Sequence, residues 1–228
     1  MENIEIENIV ENKNWNQIRQ LIEGQDMQLG PYFGHQVMNS PRHLLFTLSR
    51  YKFAAKMLPY NKPSKILEVG CSEGIGSLLL AETGHEVLAV DMDKKAIACA
   101  TRTIKKHNIT YKNADILKTN LGKFDAVVSL DVIEHIEKID EPLFLKAIVN
   151  HLTPNGMCII GTPNDSATQY ASKASQIGHV NMYTAERLVV TLQQYFHHVF
   201  QFGVNDEIVH TGFAPMSHYL IAIGCSPK

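Results

Sequence analysis

The 228-residue chain is 45% hydrophobic and has a formal net charge of -2 at pH 7. This composition fits one α/β domain with a sizeable core, and the near-neutral charge argues against a surface that attracts nucleic acid or acidic membrane. The acidic N-terminal stretch does not resemble a secretory signal, and no apolar run reaches the ~20 residues of a membrane helix. The four cysteines form no CxxC pair, so we expect a cytoplasmic protein with reduced thiols and no membrane span.

The first part of the chain, residues 1–58, predicts a helical cap. Residues 14–24 have helical spacing and end at a glycine, and residues 42–58 have the apolar spacing of a long amphipathic helix. Residues 25–41 are rich in turn-forming residues and predict a connecting loop. We expect this cap to precede a single compact domain over residues 59–228.

In that second part, predicted strands alternate with helices. After the fifth expected strand there is an insertion at 171–182 and then a helix at 184–196 that opens with Thr184. The expected strands are 65–69, 85–91, 109–115, 123–130, 156–164, 197–204 and 217–225. This order predicts a Rossmann-like α/β fold with a mostly parallel seven-stranded sheet, helices on both faces and antiparallel closing strands. Sheets of this kind bind ligands at the carboxyl ends of their strands.

A glycine-rich segment, ILEVGCSEGIGS, follows the first predicted strand at residues 66–77. Its glycines Gly70, Gly74 and Gly76 are spaced GxxxGxG, which differs from the GxGxxG spacing of dinucleotide-binding proteins. The spacing therefore argues against a nicotinamide-dependent dehydrogenase.

Acidic residues end the next two predicted strands. Asp91 ends the second strand, where a carboxylate can accept hydrogen bonds from both ribose hydroxyls of a nucleoside. Asp115 ends the third strand beside the apolar Ile116, and the two suit the edge and the face of an adenine. The loop and the two acids together predict a nucleoside site.

Taken in order, this loop, Asp91, Asp115 and the segment FDAVVSLDVIEHI (124–136) resemble the class I S-adenosylmethionine (SAM)-dependent methyltransferases, over residues 64–162. The resemblance implies SAM as methyl donor and S-adenosylhomocysteine (SAH) as product. The cofactor-binding positions that it implies are Glu68, Gly70, Cys71, Gly74, Gly76, Asp91, Met92, Asp115, Ile116 and Leu130.

The resemblance also implies a role for the main positions. Glu68 faces the cofactor's amino group, Asp91 binds the ribose and Met92 packs on the adenine. Asp115 accepts a hydrogen bond from the adenine amino group, and the backbone of Leu130 lies along the methionyl moiety. The loop departs from the family pattern at residues 71–73, where many relatives carry CGxG and this chain has Cys-Ser-Glu.

Asp131, Glu134 and His135 follow the apolar run at the end of the fourth predicted strand. If a helix starts there, their spacing places all three on one face. Two other interpretations stay open on sequence alone. In the first, Asp131 caps a helix with Glu134 as its capping-box partner. In the second, Glu134 pairs with Lys138 while His135 is solvated.

Two subfamilies of the same fold carry ExxEH at this place. They are the O-methyltransferases of ubiquinone biosynthesis and the small-RNA 3′-terminal 2′-O-methyltransferases, and in both these residues hold a divalent cation. The resemblance implies Asp131, Glu134, His135 and His179 as ligands, and such a set suits Mg²⁺, Mn²⁺ or Fe²⁺. A cation there would lower the pKa of an acceptor hydroxyl, which makes Glu134, His135 and His179 candidate catalytic residues.

The C-terminal part of the chain offers further candidates. His210 is either a general base, a substrate contact or a structural residue. The polar segment 162–181, which contains Asn164, Gln169 and Tyr170, lines an acceptor pocket or is a plain surface loop. The ubiquinone-type relatives place an arginine-containing helix over the cofactor, which would correspond to Arg50.

The sequence therefore predicts a metal-assisted, SAM-dependent O-methyltransferase that acts on a small polar molecule and is compatible with a homodimer. Residues 42–58 and 210–220 loosely resemble bacterial methyltransferases of surface-polysaccharide or sugar-nucleotide biosynthesis. The alternatives are a quinone precursor, the 3′ end of an RNA, and a SAM-binding regulatory protein without turnover. The absence of a basic surplus argues against RNA, because phosphate contacts dominate nucleic-acid affinity.

Overall fold

The computed structural model describes residues 13–24, 26–60 and 62–228, so the acidic N-terminal stretch noted above lies outside the described residues. Its strands are β1 (Lys65–Val69), β2 (Glu86–Asp91), β3 (Ile109–Asn113), β4 (Phe124–Leu130), β5 (Leu152–Pro163), β6 (Phe196–Asn205), β7 (Ile208–His210) and β8 (Tyr219–Pro227). Its helices are α1 (Lys13–Ile22), α2 (Pro31–Asn39), α3 (Pro41–Met57), α4 (Ile75–Ala81), α5 (Lys94–Thr103), α6 (Glu141–Asn150), α7 (Lys173–Gly178) and α8 (Ala185–Gln193).

These strands form one sheet in the order β3-β2-β1-β4-β5-β8-β6-β7. The first five strands along the chain pair in parallel, and β8, β6 and β7 pair antiparallel at one side. The chain moves outward from β1 to β3 and then returns to the other side of β1 with β4. This reversal is the switch point at which open α/β sheets bind their ligands.

The mostly parallel Rossmann-like sheet is thus confirmed, but the expected number of seven strands is wrong. The described residues contain an eighth strand, β7, which is three residues long. A tight turn joins it to β6, with Asp206 in the left-handed region at φ 52°. Three residues are too few to produce a recognisable alternation of polar and apolar side chains.

Hydrophobic cores cover both faces of the sheet. Successive residues of a strand point to opposite faces, so Ile66 joins one core and Leu67 the other. One core includes Phe144 of α6, and the second core includes Leu80 of α4 and Tyr51 of α3. The predicted helices on both faces are confirmed, and α3 of the cap shares a core with the sheet.

The N-terminal cap differs from its prediction. Residues 25–41, which were expected to form a loop, contain the nine-residue helix α2. Pro31 lies in the first turn of α2, where the missing N–H of a proline breaks no helical hydrogen bond. Helix α2 ends at Asn39, and Pro41 begins α3 after the single intervening residue Ser40.

The predicted start of α8 at Thr184 is confirmed, since Thr184 Oγ1 accepts a hydrogen bond from the Arg187 N–H at 3.2 Å. Over the ranges described, no helix has the length and apolar content needed to cross a bilayer.

Candidate functional site

The loop after β1 runs directly over the segment that follows β4. Gly70 begins this loop in the left-handed region at φ 82°, and a Cβ at this position would lie 2.2 Å from Cγ2 of Val132. Both the backbone angle and the space therefore require glycine. The loop after β1 and the segment after β4, which carry the two sets of predicted site residues, thus meet at the carboxyl edge of the sheet.

The other two glycines of the loop are approached by tyrosines of the same chain. A Cβ on Gly76 would lie 2.2 Å from the ring of Tyr51, and a Cβ on Gly74 would lie 2.6 Å from the ring of Tyr111. Tight packing within the protein explains why both positions are small. Their contact with a cofactor stays a prediction.

Asp91 at the end of β2 organises the glycine loop. Its Oδ2 accepts a hydrogen bond from the Ser72 N–H, and its Oδ1 accepts one from the Asp93 N–H, both at 2.8 Å. Asn113, which sequence reasoning missed, donates from Nδ2 to the carbonyl oxygens of Asp91 and Met92 at 2.9 Å each. The carboxylate predicted to bind a ribose is therefore fixed in place by backbone and side-chain contacts.

The residues predicted to hold an adenine lie beyond β2 and β3. Met92 is 70% exposed, and Ile116 is buried. Asp115 Oδ1 accepts a hydrogen bond from the Leu117 N–H at 2.9 Å, and its Oδ2 lies 3.2 Å from Nζ of Lys118. An exposed apolar side chain and a carboxylate that follow two paired strands suit a purine, and the arrangement is compatible with the predicted roles.

Glu68 near the end of β1 and Cys71 in the glycine loop are both buried. The Glu68 carboxylate accepts a hydrogen bond from the Ser77 hydroxyl, while its Oε1 has no hydrogen-bond partner among the described residues. Burial raises the pKa of Glu68 to about 7. Burial also raises the pKa of the Cys71 thiol, which therefore stays protonated and unreactive.

Leu130 ends β4, and Asp131 directly after it pairs with Arg50 of the cap. Asp131 is in the left-handed region at φ 58°, and Nη1 of Arg50 lies 3.1 and 3.4 Å from its two carboxylate oxygens. The guanidinium of Arg50 in turn stacks 3.7 Å from the centre of the Tyr219 ring. Cap helix α3 is thereby joined to the end of the central strand.

The segment after Asp131 is a short 3-10 turn, Ile133–His135, rather than an α-helix. Val132 is its first flanking residue and makes no side-chain capping bond within the described structure. The capping-box interpretation of Asp131 and Glu134 is therefore wrong, and so is the expectation that one helical face presents both of them.

Glu134, His135 and His179 are brought together at this turn, with one ligand atom of each lying within 4.8 Å of the other two. His179 is delivered by the loop after α7, because the backbone N–H groups of Val180 and Asn181 donate to the carbonyl oxygen of Glu134 at 2.9 and 3.1 Å. The two imidazole rings pack edge to face with centroids 5.0 Å apart. Three of the four predicted ligands thus form a cluster, and Asp131 is not part of it.

The protonation of this cluster is set by burial. Glu134 is fully buried, and its Oε2 accepts a hydrogen bond from the Thr162 hydroxyl at 3.2 Å. Its Oε1 lacks a hydrogen-bond partner in the part of the chain that the structure describes. Burial, followed by the charge of Asp131, raises the pKa of Glu134, and burial followed by the neighbouring His135 lowers the pKa of His179.

A polar network behind the cluster fixes the loop that carries His179. The Glu141 carboxylate accepts hydrogen bonds from Asn181 Nδ2 at 3.0 Å, from the Tyr183 hydroxyl and from the Arg187 guanidinium. Arg187 also lies over the Tyr183 ring, 4.0 Å from its centre. Sequence reasoning missed these residues, since nothing in their spacing links them.

His210 is held in the β6–β7 hairpin. Its Nε2 lies 2.8 Å from Oδ1 of Asn205, and its Nδ1 accepts a hydrogen bond from the Gly212 N–H at 3.0 Å. Both ring nitrogens are thus engaged within the hairpin, so neither is free to contact a substrate. The geometry favours the structural interpretation of His210 over the catalytic one.

The polar insertion after β5 borders the cluster. Asn164 is buried and donates to the carbonyl oxygens of Ala214 and Ser217 at 3.1 and 2.7 Å, so it has a structural role. Gln169 and Tyr170 are exposed. Only these two of the three predicted acceptor contacts are accessible to a ligand.

Glu73 joins the glycine loop to the cap, and sequence reasoning missed this role. Its two carboxylate oxygens accept hydrogen bonds from the N–H groups of Tyr32 and Phe33 at 2.9 Å each, at the N-terminus of α2. A carboxylate is favourable there because it meets unpaired N–H groups and the positive end of the helix dipole. Glu73, which occupies the variable position of the CGxG pattern, therefore ties helix α2 to the loop.

The sequence is similar to methyltransferases in each comparison with known proteins. Residues 67–160 match the family model described as a methyltransferase domain. The chain is 38% identical over 118 residues to the ubiquinone biosynthesis O-methyltransferase of Rickettsia typhi, an alignment that covers 50% of this chain and 47% of that protein. It is 31% identical over 99 residues to a probable S-adenosylmethionine-dependent methyltransferase of Mycolicibacterium smegmatis, covering 43% and 38%. The matched part thus spans about half the length of these curated relatives or less.

Solved structures with the same fold include two methyltransferases. The SAH complex of the N-methyltransferase NodS from Bradyrhizobium japonicum WM9 superposes with a TM-score of 0.57 at 22% identity, covering 82% of this chain and 87% of that one. The methyltransferase domain of bacterial CtHen1 superposes with a TM-score of 0.66 at 16% identity, covering 80% and 100%. At these identities the likeness establishes the fold.

Proposed function

We propose that this chain, a class I SAM-dependent methyltransferase by its fold and by the sequence of residues 67–160, transfers the methyl group of SAM to a hydroxyl oxygen of a small-molecule acceptor. The observation that carries this proposal is the cluster of Glu134, His135 and His179, which lies directly after the strand whose end the glycine loop overlies. A nucleoside site and a set of groups able to activate a hydroxyl are thereby neighbours.

In this proposal the cofactor lies along the carboxyl ends of β1, β2 and β4. Asp91 holds the ribose, and Met92 and Ile116 pack on the adenine beside Asp115. The methionyl group runs between Gly70 and Leu130 towards Asp131. Support for the ribose contact comes from the two backbone N–H groups that fix the Asp91 carboxylate, because a preorganised acceptor loses little entropy on binding.

The residues present fit a divalent cation held by three of the four predicted ligands. Glu134 keeps a buried oxygen that has no hydrogen-bond partner among the described residues, and the lowered pKa of His179 leaves its imidazole neutral and able to bind. The Nδ1 of His135 lies 2.8 Å from the carbonyl oxygen of Gly178, which assigns its proton there and leaves Nε2 for the ion. One carboxylate and two imidazoles suit Mn²⁺, Fe²⁺ or Mg²⁺.

Such an ion would lower the pKa of an acceptor hydroxyl that it binds. The chain's own residues supply positioning, which accounts for much of the barrier reduction in a displacement of this kind. Glu134 and the two imidazoles hold the hydroxyl end of the acceptor in line with the methyl group. Glu73 and Arg50 keep the cap against the site, which limits the access of water.

The surroundings of the cluster favour an acceptor with an apolar or aromatic part. Tyr170 is 73% exposed, and Ile177, Phe213 and Met216 are also exposed on the segments next to His179 and Asn164. An exposed group of large apolar side chains commonly marks a binding surface. Together with the names of the curated relatives, this supports a phenol or catechol ahead of the sugar-type acceptor that the sequence first indicated.

The test is methyl transfer from radiolabelled SAM to three acceptor pools: catechols, sugar nucleotides and short RNA. We expect label in the catechol pool, loss of that label after treatment with EDTA, and its return with Mn²⁺. Label in the sugar pool would change the acceptor class. SAH binding without transfer to any pool would instead support a regulatory protein.

A further inference from the structure

The segment between β7 and β8, called the 211–218 loop below, presents large apolar side chains to solvent. Phe213 and Met216 are each 69% exposed. The ring of Tyr170, which is also exposed, packs edge to face on His218 at the end of the loop, with centroids 5.8 Å apart. Three exposed large side chains are thus carried by two segments that touch each other, and a group of this kind commonly marks a binding surface.

A chain of hydrogen bonds joins the beginning of the 211–218 loop to its end. The Gly212 N–H donates to Nδ1 of His210 at 3.0 Å, so the proton of the imidazole lies on Nε2. This Nε2–H donates to Oδ1 of Asn205 at 2.8 Å, and Nδ2 of Asn205 donates to the carbonyl oxygen of Met216 at 3.0 Å. His210 therefore ties both ends of the loop to strand β6.

Asn164, which follows β5, holds the same loop. Its Nδ2 donates to the carbonyl oxygens of Ala214 and Ser217 at 3.1 and 2.7 Å, and its N–H donates to the carbonyl oxygen of His218 at 3.0 Å. On β6, Gly203 leaves room for the loop, because a Cβ there would lie 2.0 Å from Oγ of Ser217. The backbone of the loop is thus fixed in advance, so its exposed side chains lose little entropy when they bind a ligand.

The end of β5 connects this loop to the cluster at Glu134. The hydroxyl of Thr162 donates to Oε2 of Glu134 at 3.2 Å, and Asn164 lies two residues further along the chain. The cluster and the loop are therefore attached to the same strand end. An acceptor whose hydroxyl lies at the cluster extends its other atoms over the neighbouring segments, and the 211–218 loop is one of them.

We propose that the 211–218 loop binds the part of the acceptor that does not react, with Phe213 and Met216 as specificity-determining residues and His210 as the positioning residue of the loop. The inference rests on the proposed function for the place of the acceptor. The loop and the neighbouring turn Asp165–Tyr170 contain no lysine or arginine. The part of the acceptor that they bind is therefore uncharged and apolar, since a phosphate group would find no cation in either segment.

Two acceptors that differ in one substituent test the specificity. They are 4-tert-butylcatechol, which has an apolar group, and catechol-4-sulfonate, which has an anionic group. We expect the KM for 4-tert-butylcatechol to be lower by at least about tenfold, the scale expected for burial of a few methyl groups. The double variant Phe213→Ser with Met216→Ser should lose most of this difference while its SAH affinity stays unchanged. Equal KM values in the unaltered protein, or an unchanged ratio in the double variant, would overturn the inference.

His210→Ala tests the positioning of the loop. It should raise the KM for 4-tert-butylcatechol by about three- to tenfold, the effect of losing one neutral hydrogen bond, and leave kcat and SAH affinity unchanged. Glutamine offers one donor group and one acceptor, as the neutral ring does, so His210→Gln should restore the KM. His198→Ala, at an exposed histidine of β6, is the matched control and should behave as the original protein. An unchanged KM in His210→Ala would remove His210 from this role.

Amide hydrogen exchange of the unaltered protein tests binding without turnover, and it decides alone if a variant does not fold. With SAH present, 4-tert-butylcatechol should slow exchange in the 211–218 loop. Slower exchange there without methyl transfer to either catechol would overturn the proposed function and keep the loop as a binding site. Methyl transfer without any change of exchange in the loop would overturn this inference and leave the proposed function intact. The absence of both effects would overturn both.

Discussion

The Nδ1–H of His135 donates a hydrogen bond to the carbonyl oxygen of Gly178, 2.8 Å away, and Gly178 is the residue directly before His179. The same contact orients the first ring and fixes the backbone that carries the second. A Cβ on Gly178 would lie 3.1 Å from Cε1 of His135, so the loop approaches the ring closely. The pair is therefore preorganised, which is the arrangement expected of metal-binding imidazoles.

Removing one member of the cluster should abolish cation binding without disturbing the nucleoside site. We expect His179→Ala to weaken Mn²⁺ binding by at least about 10- to 100-fold, the scale reported for changes around metal ligands. SAH affinity measured without metal should stay unchanged, because His179 follows α7 and is not among the residues expected to bind the cofactor. Calorimetry with each ligand checks both statements.

The control for this variant is His107→Ala, at an exposed histidine between α5 and β3. It should bind Mn²⁺ and SAH as the original protein does. Unchanged Mn²⁺ affinity in His179→Ala would remove His179 from the site, and an equal loss in His107→Ala would show that the measured binding is not specific to the cluster.

Asp91→Ala should affect both the cofactor and the loop. The variant loses acceptors for the N–H groups of Ser72 and Asp93, which predicts a loss of about 1–3 kcal/mol in the free energy of unfolding. SAH affinity should fall by at least about 100-fold, since charged hydrogen bonds of the ribose are lost as well.

Asp140→Ala is the matched control, because Asp140 precedes α6 and makes no side-chain capping bond within the described residues. Urea unfolding and SAH calorimetry on the two variants separate the effects. Retention of SAH affinity in Asp91→Ala would place the ribose elsewhere.

Much of the fold could be predicted from the sequence because both faces of the central strands are buried. A strand such as β4 reads as a continuous apolar run, and strands of this kind alternate along the chain with amphipathic helices. Helix α2 was missed because Pro31 and Gly34 read as turn formers, although proline is tolerated in a first turn. Strand β7 was missed because it is too short to show a pattern.

The candidate site likewise contains residues that could be predicted from the sequence and contacts that could not. Asp91, Glu134 and His135 could be found because each lies at the end of a predicted strand or a few residues after it. The contacts of Arg50 with Asp131 and of Glu73 with α2 span 81 and about 40 residues of sequence and follow no periodic pattern. Asp131 was predicted to be a metal ligand because it occupies the position of the first acid in the ExxEH pattern. Whether its carboxylate meets a cation or Arg50 depends on how α3 packs against the end of β4, which the sequence pattern does not show.

Glu68 should make stability depend on pH. Its pKa in the folded protein is about 7, above the ordinary value of 4.5, so the folded protein keeps a proton that the unfolded chain has lost. The free energy of unfolding should therefore fall as the pH rises from about 4.5 to about 7 and then level off. Between pH 5 and pH 8 the contribution of this residue is about 2–3 kcal/mol.

Glu68→Gln removes the charge while keeping the shape of the side chain and its contact with Ser77. Urea unfolding of both proteins at several pH values isolates the contribution of Glu68 as a difference. The variant should gain stability relative to the original protein as the pH rises through this window. A difference that does not change with pH would mean that Glu68 ionises normally.

Glu73→Gln should loosen the cap from the glycine loop. The amide keeps only one acceptor oxygen for the N–H groups of Tyr32 and Phe33 and loses the charge that interacts with the helix dipole. We expect faster amide hydrogen exchange across α2 and a loss of about 1–2 kcal/mol in the free energy of unfolding. Glu82→Gln, at an exposed glutamate after α4, should change neither quantity. Equal exchange in α2 of both variants would show that Glu73 does not hold the cap.

The most direct test of the nucleoside site is calorimetry of SAH with protein that has been unfolded, washed free of carried-over ligand and refolded. We predict saturable binding of one SAH per chain, strongly reduced by Asp91→Ala and unaffected by Glu134→Gln. Absence of any measurable binding of SAH or SAM to the correctly refolded protein would contradict the account at its foundation.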